Sequence, residues 1–291
     1  MGVKHYDVIV IGGGPGGYTA ALYCARSGRS VAVLEKLSAG GQMATTDRID
    51  NYPGFEEGID GFELGERMER QAWRFGVSTV YGEVRSVELA GRPKRIESTE
   101  GSFEAEAVIL ATGASRAVPR IPGLAGLEGH GVSYCAACDA FFYRGKDVAV
   151  LGSGEYALHE VQALLPVVRS VTLLTNGAPL TADFPPEVTV YPQAVEAVLG
   201  ETVVTGVQLS GGVQLPVSGV FVALGVAGST ALARKIGAEV DGNRIVVDEK
   251  MQTTVPGLYA AGDCTGGLLQ VAKAVADGAE AAMSAVKFVR K

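Results

Sequence analysis

The feature that most restricts what this chain can fold into is an internal repeat. Residues 7–36 read DVIVIGGGPGGYTAALYCARSGRSVAVLEK, residues 147–176 read DVAVLGSGEYALHEVQALLPVVRSVTLLTN, and the two align without a gap. Each is a short apolar run, a glycine-rich turn, an amphipathic stretch at helical spacing and a second apolar run. That order predicts a strand, turn, helix and strand, the opening unit of a dinucleotide-binding fold. A chain of 291 residues has room for two such domains.

The first copy has its turn at Gly12-x-Gly14-x-x-Gly17. Gly12 permits the tight turn, Gly14 lets backbone approach a pyrophosphate, and Gly17 lets helix and strand pack closely. The helix start then offers free N–H groups and partial positive charge to phosphates. Glu35 ends the next strand, where a carboxylate can accept hydrogen bonds from a ribose. Residues 77–113 read as a β-meander ending in a strand at 107–110. Far downstream, Gly257-Leu258-Tyr259-Ala260-Ala261-Gly262-Asp263 predicts a strand ending in Gly-Asp, with a helix starting near Gln270. A domain that opens at the N-terminus and closes at the C-terminus must carry the second copy inside it. The expected fold is therefore α/β, with two Rossmann-like dinucleotide-binding domains of three layers (ββα), the second inserted in the first. The expected boundaries are 1–115 with 246–291 for the outer domain, and 116–245 for the inserted one.

Hydrophobic residues make up 47% of the chain and charged residues 20%, with a net charge of −7 and no block of Lys or Arg. That balance supports a packed core and argues against nucleic acid or an anionic membrane as the main partner. The apolar run at 8–11 meets glycines at once, so it is too short for a signal peptide or a membrane span. Of four cysteines, two form a C-x-x-C, which suits a cytoplasmic redox protein better than a secreted disulfide scaffold.

That motif is Ser133-Tyr134-Cys135-Ala136-Ala137-Cys138-Asp139. Two thiols at this spacing at a helix start can close a small disulfide ring, and the helix end stabilises a thiolate there. Asp139 follows directly, where an acid could move protons as the ring opens and closes. A structural zinc site would need two further ligands, yet Cys24 and Cys264 are isolated and His5, His130 and His159 have no ligand spacing. No metal is expected. A purely structural disulfide is the other alternative.

With these residues in view, the chain resembles the low-molecular-weight thioredoxin reductases over nearly its whole length. Further signatures of that family stand as Gly40-Gly41-Gln42, Asp50-Asn51-Tyr52-Pro53-Gly54, Ala111-Thr112-Gly113 and Ala261-Gly262-Asp263. The resemblance implies one FAD per chain. It implies contacts from Gly12, Gly14, Pro15, Gly17, Glu35, Lys36, Gly41, Gln42, Asn51, Val84, Thr112, Gly113, Gly262, Asp263, Gln270 and Val271. It makes Asp263 a partner of the ribityl chain or pyrophosphate, and aims the helix start near Gln270 at the flavin N1–C2=O edge. It also makes Cys138 the flavin-facing thiol, Cys135 the attacker of the partner's disulfide, and Asp139 the acid. Thioredoxin as substrate and a homodimer are implied in the same way.

The second copy departs from the family. Its turn, Gly152-Ser153-Gly154-Glu155-Tyr156-Ala157, sets a carboxylate near the place of a pyrophosphate and a bulky ring beside it. Thr175 stands where the repeat has Glu35. The NADPH-dependent relatives follow this strand with a cluster of cations for the 2′-phosphate, whereas 175–181 here reads TNGAPLT. Arg169 lies at the far end of the strand. Each charge-assisted bond lost from such a clamp costs about 1.5–3 kcal/mol. NADPH is therefore not the expected reductant. The chain resembles the subset of these flavoproteins without nicotinamide motifs, some of which take electrons from reduced ferredoxin. A local basic surface for an acidic ferredoxin is expected, with Arg116, Arg120, Arg144 and Lys146 as candidates. Alternatives are an NAD(P)H-dependent reductase, a dithiol oxidase passing electrons to oxygen, and a redox sensor without turnover.

Overall fold

The computed structural model describes residues 2–89, 91–114, 119–224 and 230–290. The chain divides into two compact units, Met1–Ser115 with Ala227–Lys291, and Arg116–Val226. Arg116 lies outside the described residues.

The first unit opens with β1 (Lys4–Ile11), α1 (Pro15–Arg26), β2 (Val31–Glu35), α2 (Gly61–Trp73), β3 (Ser78–Tyr81), β4 (Val84–Glu88), β5 (Lys94–Ser98) and β6 (Gly101–Leu110). The inserted unit follows with β7 (Val132–Ser133), α3 (Ala136–Asp139), β8 (Asp147–Leu151), α4 (Glu155–Leu164), β9 (Ser170–Leu174), β10 (Thr189–Tyr191), β11 (Val195–Leu199), β12 (Gly206–Leu209), β13 (Val213–Leu215) and β14 (Gly219–Val222). The chain then returns to the first unit with α5 (Ala231–Lys235), β15 (Val240–Asp241), β16 (Arg244–Ile245), β17 (Leu258–Ala260) and α6 (Val271–Val289).

In the first unit β3, β2, β1 and β6 run parallel, and β17 joins the far half of β6 in parallel. The near half of β6 pairs antiparallel with β5, and β5 with β4. Only β4–β6 thus form the expected meander, because the segment at 78–81 pairs with β2 instead. Alternation along β1 sends Val8 and Val10 to one face and Ile9 and Ile11 to the other. The first pair packs with Tyr18, Ala20 and Ala21 of α1 and Ala281, Ala282 and Ala285 of α6. The second packs with Val87, Ile96 and Phe103 of the meander. These are the three ββα layers that the repeat predicts.

The inserted unit repeats the plan. Its sheet runs β10-β9-β8-β14-β7, all parallel, and β11–β13 form a separate antiparallel sheet. The gapless repeat reappears as register: Val8 faces Val31 in the first unit, and Val148 faces Val171 in the second. The expected boundary at 245 is corrected. Ala233, Ala238 and Ile245 are buried with Ile9, Ile11 and Leu34 of the first unit, so the return crossing lies before α5. Among its described residues, the turn-rich segment between β14 and β17 carries short elements with little periodicity, so it gave no boundary signal.

α1 and α6 touch through residues without side-chain bulk. A Cβ on Gly278 would lie 2.2 Å from the Gly16 carbonyl oxygen, and one on Gly16 would lie 3.1 Å from that of Ala274. G278A is therefore expected to force the helices apart and to lower stability by about 1–3 kcal/mol, the usual cost of overpacking. Urea unfolding of the purified variant beside the parent measures it.

Candidate functional site

The cradle of the first unit is built by backbone that comes very close to itself. A Cβ on Gly12, which has φ of 108°, would lie 2.2 Å from the Ala111 carbonyl oxygen. A Cβ on Gly17 would lie 1.9 Å from the Gly12 carbonyl oxygen. Gly14 is different: no atom but the Gly40 carbonyl oxygen, at 3.9 Å, comes near its missing Cβ, so this face is open. α1 starts at Pro15 with no side chain capping its first N–H groups. Glu35 is buried, and its carboxylate accepts from Gly13 N–H at 2.5 Å and from Leu37 N–H at 2.8 Å. The acid at the end of β2 is thereby fixed against the glycine turn. Open backbone at Gly14, an uncapped helix and a fixed carboxylate fit the pyrophosphate and ribose of a dinucleotide.

Three of the other expected contact residues lie against this turn. Gly41 approaches Gly14, Thr112 approaches Gly12, and the Gly262 N–H lies near Gly16. Gly113 follows Thr112 with φ of 64°. Asn51 Nδ2 donates to Gln270 Oε1 at 2.9 Å, joining two residues far apart in sequence. Gln270 stands at the N-cap position of α6 without a side-chain capping bond, and Val271 is the first residue of the helix. Gln42 is exposed in a 3-10 turn, Val84 begins β4, and Lys36 pairs with Glu83 at 2.7 Å. Two residues that motif reading missed hold the turn carrying Asp263. Asp277, buried on α6, accepts from Gly262 N–H at 3.0 Å and pairs with Lys273 Nζ at 2.7 Å. Lys273 Nζ also donates to the Gly262 and Gly266 carbonyls. An acid four residues after a lysine amid the alanines of α6 was the available signal.

In the inserted unit Cys135 and Cys138 form a disulfide, with Cα atoms 5.3 Å apart. Cys135 is the N-cap of α3, and its Sγ accepts from Cys138 N–H at 3.2 Å. Ser133 Oγ accepts from Cys135 N–H at 3.1 Å and donates to Asp139 Oδ2 at 2.6 Å. Asp139 is thus tied to the backbone of Cys135 through one hydroxyl, which motif reading did not anticipate. Cys138 is exposed and Cys135 half-buried.

The turn after β8 mimics the first cradle only in part. A Cβ on Gly152 would lie 2.3 Å from the Ala223 carbonyl oxygen, matching the tight approach at Gly12. At Gly154, however, Thr181 Oγ1 lies 2.9 Å from the missing Cβ, where Gly14 has open space. Thr175 is buried where Glu35 has its counterpart, and its hydroxyl has no hydrogen-bond partner among the described residues. Tyr156 turns its hydroxyl to the Tyr134 carbonyl at 3.0 Å. Arg169 pairs with Asp147 at the far end of β9.

Among the described residues no group of three or more His, Cys, Asp or Glu could hold a metal, and no helix is long and apolar enough to cross a membrane. Burial pushes the Cys24 thiol up to about 12 and the Cys264 thiol up to about 11. Near pH 8 their thiolate fractions are on the order of a thousandth or less. Iodoacetamide at that pH should therefore label only Cys135 and Cys138 after reduction, with Cys24 and Cys264 labelled only on unfolding. Peptide mass mapping reads the result. D277N should lower stability by about 1–3 kcal/mol, since it removes the charge from a buried acceptor that holds Lys273 and the Gly262 turn. Urea unfolding measures it.

The family model for pyridine nucleotide-disulphide oxidoreductases matches residues 6–278. The bifunctional thioredoxin reductase/thioredoxin of Mycobacterium leprae is 41% identical over 276 residues, covering 89% of this chain and 60% of that longer protein. The thioredoxin reductase of Listeria monocytogenes is 35% identical, covering 99% of this chain and 95% of its own. Among solved structures, the thioredoxin reductase of Streptococcus pyogenes matches with a TM-score of 0.89 at 34% identity, covering 99% of both chains. The ferredoxin-flavin thioredoxin reductase of Clostridium acetobutylicum matches with a TM-score of 0.56 at 31% identity, covering 98% of both. Membership of this family implies an FAD cofactor, which the cradle around Gly14 and Glu35 fits. The chain belongs to the pyridine nucleotide-disulphide oxidoreductases and, within them, to the low-molecular-weight thioredoxin reductase family.

Proposed function

We propose that this chain is a flavin-dependent disulfide reductase that passes electrons through Cys135 and Cys138 to thioredoxin, with reduced ferredoxin as donor. The observation that carries the disulfide chemistry is the Cys135–Cys138 ring at the start of α3, with Asp139 tied to it through Ser133. Bound FAD supplies the conversion between a one-electron donor and a two-electron disulfide. Opening the ring takes two electrons and two protons, and Asp139 is the group held where a proton can be exchanged. Cys135, whose sulfur already faces the Cys138 N–H, then attacks the thioredoxin disulfide and forms a mixed disulfide. Attack by Cys138 on Cys135 releases reduced thioredoxin. Phe141 and Phe142, exposed just beyond the ring, offer apolar area to a protein substrate.

The donor assignment is supported by the second glycine turn. A 2′-phosphate would meet no cation along 175–181, a pyrophosphate would meet Thr181 over Gly154, and a ribose would meet Thr175 in place of an acid. The likeness to the clostridial ferredoxin-flavin enzyme points the same way. Arg120, Arg144 and Lys146 remain the candidates for docking an acidic ferredoxin. A nicotinamide donor is the second reading, favoured by the retained tight turn at Gly152 and by the relatives named thioredoxin reductase. A cytoplasmic homodimer is part of the proposal, and light scattering in solution checks its size.

Flavin absorbance followed anaerobically discriminates the donors. Bleaching by photoreduced ferredoxin, with new thiols on thioredoxin, is expected, while NADPH and NADH leave the flavin oxidised. Rapid bleaching by NADPH would sink the ferredoxin assignment and restore the nicotinamide one.

A further inference from the structure

A buried acid on α2 has no part in the disulfide chemistry. Glu69 is 6% exposed, and its Oε1 accepts from the Tyr18 hydroxyl at 2.8 Å and from the Tyr81 hydroxyl at 2.7 Å. One oxygen thus joins α1, α2 and β3. The Tyr18 hydroxyl also meets the side chain of Thr79. Burial pushes the Tyr81 hydroxyl up to about 12 and that of Tyr18 above its ordinary range, so both stay O–H donors near neutral pH. The two tyrosines flank the acid of the cradle. Tyr18 is buried, and a Cβ on Gly13 would lie 3.1 Å from its ring and 3.1 Å from Glu35 Oε2. Tyr81 is the register partner of Glu35 across β2 and β3, and the next residue, Gly82, donates its N–H to the Glu35 carbonyl at 2.7 Å. Ring and carboxylate press on the same point of the glycine turn.

We infer that Glu69 is a positioning residue for the cofactor: by gathering the Tyr18 and Tyr81 hydroxyls on one oxygen, it keeps the Tyr18 ring against Gly13 and so fixes Glu35 for a ribose. The inference rests on FAD occupying this cradle, as membership of the family implies. A ribose diol offers two O–H donors, and an acceptor already in place spares the ordering cost that a mobile carboxylate would bring to binding. Glu35 is held in front by the Gly13 and Leu37 N–H groups. Glu69 supplies the support around it, acting through geometry and touching no cofactor itself.

The test chases FAD out of full-length, oxidised holoprotein with excess radiolabelled FAD and follows the rate of exchange. E69A removes the shared acceptor and should exchange about three- to tenfold faster than the parent, the change that loss of one buried hydrogen bond brings. E69Q keeps an oxygen for both hydroxyls and should exchange at the parental rate. Parental exchange in E69A, or equal acceleration in E69Q, overturns the inference. The route through Glu35 is checked in the E35Q background, where E69A should add no further acceleration. A merely structural role would speed exchange in both backgrounds, and that result overturns the inference as well. If E69A does not fold, Y81F decides: it alters an exposed ring, and it should speed exchange in the parent and not in E35Q. Neither an electron donor nor the disulfide enters these rates, so they stand apart from the ferredoxin assignment. A parent chain that bound no FAD would overturn the underlying reading instead.

Discussion

The first unit depends on how closely α1 can approach the backbone around it. Gly17 brings the helix onto the Gly12 carbonyl, and Gly16 and Gly278 bring it onto α6. A Cβ on Gly17 or Gly278 would meet a carbonyl oxygen well inside contact distance, one on Gly16 would be tight, and close-packed interiors relax little. The same tightness sets the loop that Gly12 begins, leaves Gly14 facing outward, and lets Glu35 reach Gly13 N–H. Asp277 and Lys273 extend the arrangement to the turn bearing Asp263. The dinucleotide cradle is a consequence of helix packing.

The inserted unit has the same frame and a different use for it. Strand register is preserved between the copies, and Gly152 keeps the close approach that Gly12 makes. What changed is the helix after the turn. α1 opens with Pro15 and two glycines, whereas α4 opens with Glu155 and Tyr156 and carries Glu160 one turn on. Its polar side chains reach to the segment around Cys135. A helix whose start suits a phosphate in one copy serves in the other as a platform for a disulfide turn. Preorganisation of that kind matters for thiol exchange, in which the attacked sulfur and the leaving thiol must be presented in a fixed geometry.

Much is legible in the sequence because the signals are local. Strand, turn and helix of each copy lie within thirty consecutive residues, so periodicity and glycine spacing reported them, and the C-x-x-C carried its own ring size and helix start. Asn51 and Gln270 were named through resemblance only as separate cofactor contacts, and nothing in the sequence signalled the hydrogen bond that joins them across 219 residues. The boundary at 245 failed because α5, β15 and β16 are too short to announce a sheet, and only packing of Ala233, Ala238 and Ile245 against β1 reveals their unit.

The sequence by itself determined the α/β class, the duplicated unit, the glycine turns and the candidate redox pair. Each follows from residue types at fixed short spacing, where backbone sterics and ring geometry leave few alternatives. Tertiary structure alone decided which buried polar side chains serve those features: Asp277 on the Gly262 turn, Ser133 between Cys135 and Asp139, and Glu160 on the Ala136 N–H. A buried carboxylate needs donors wherever the fold happens to supply them. Its partner is fixed by which elements pack together, and no one-dimensional pattern records that.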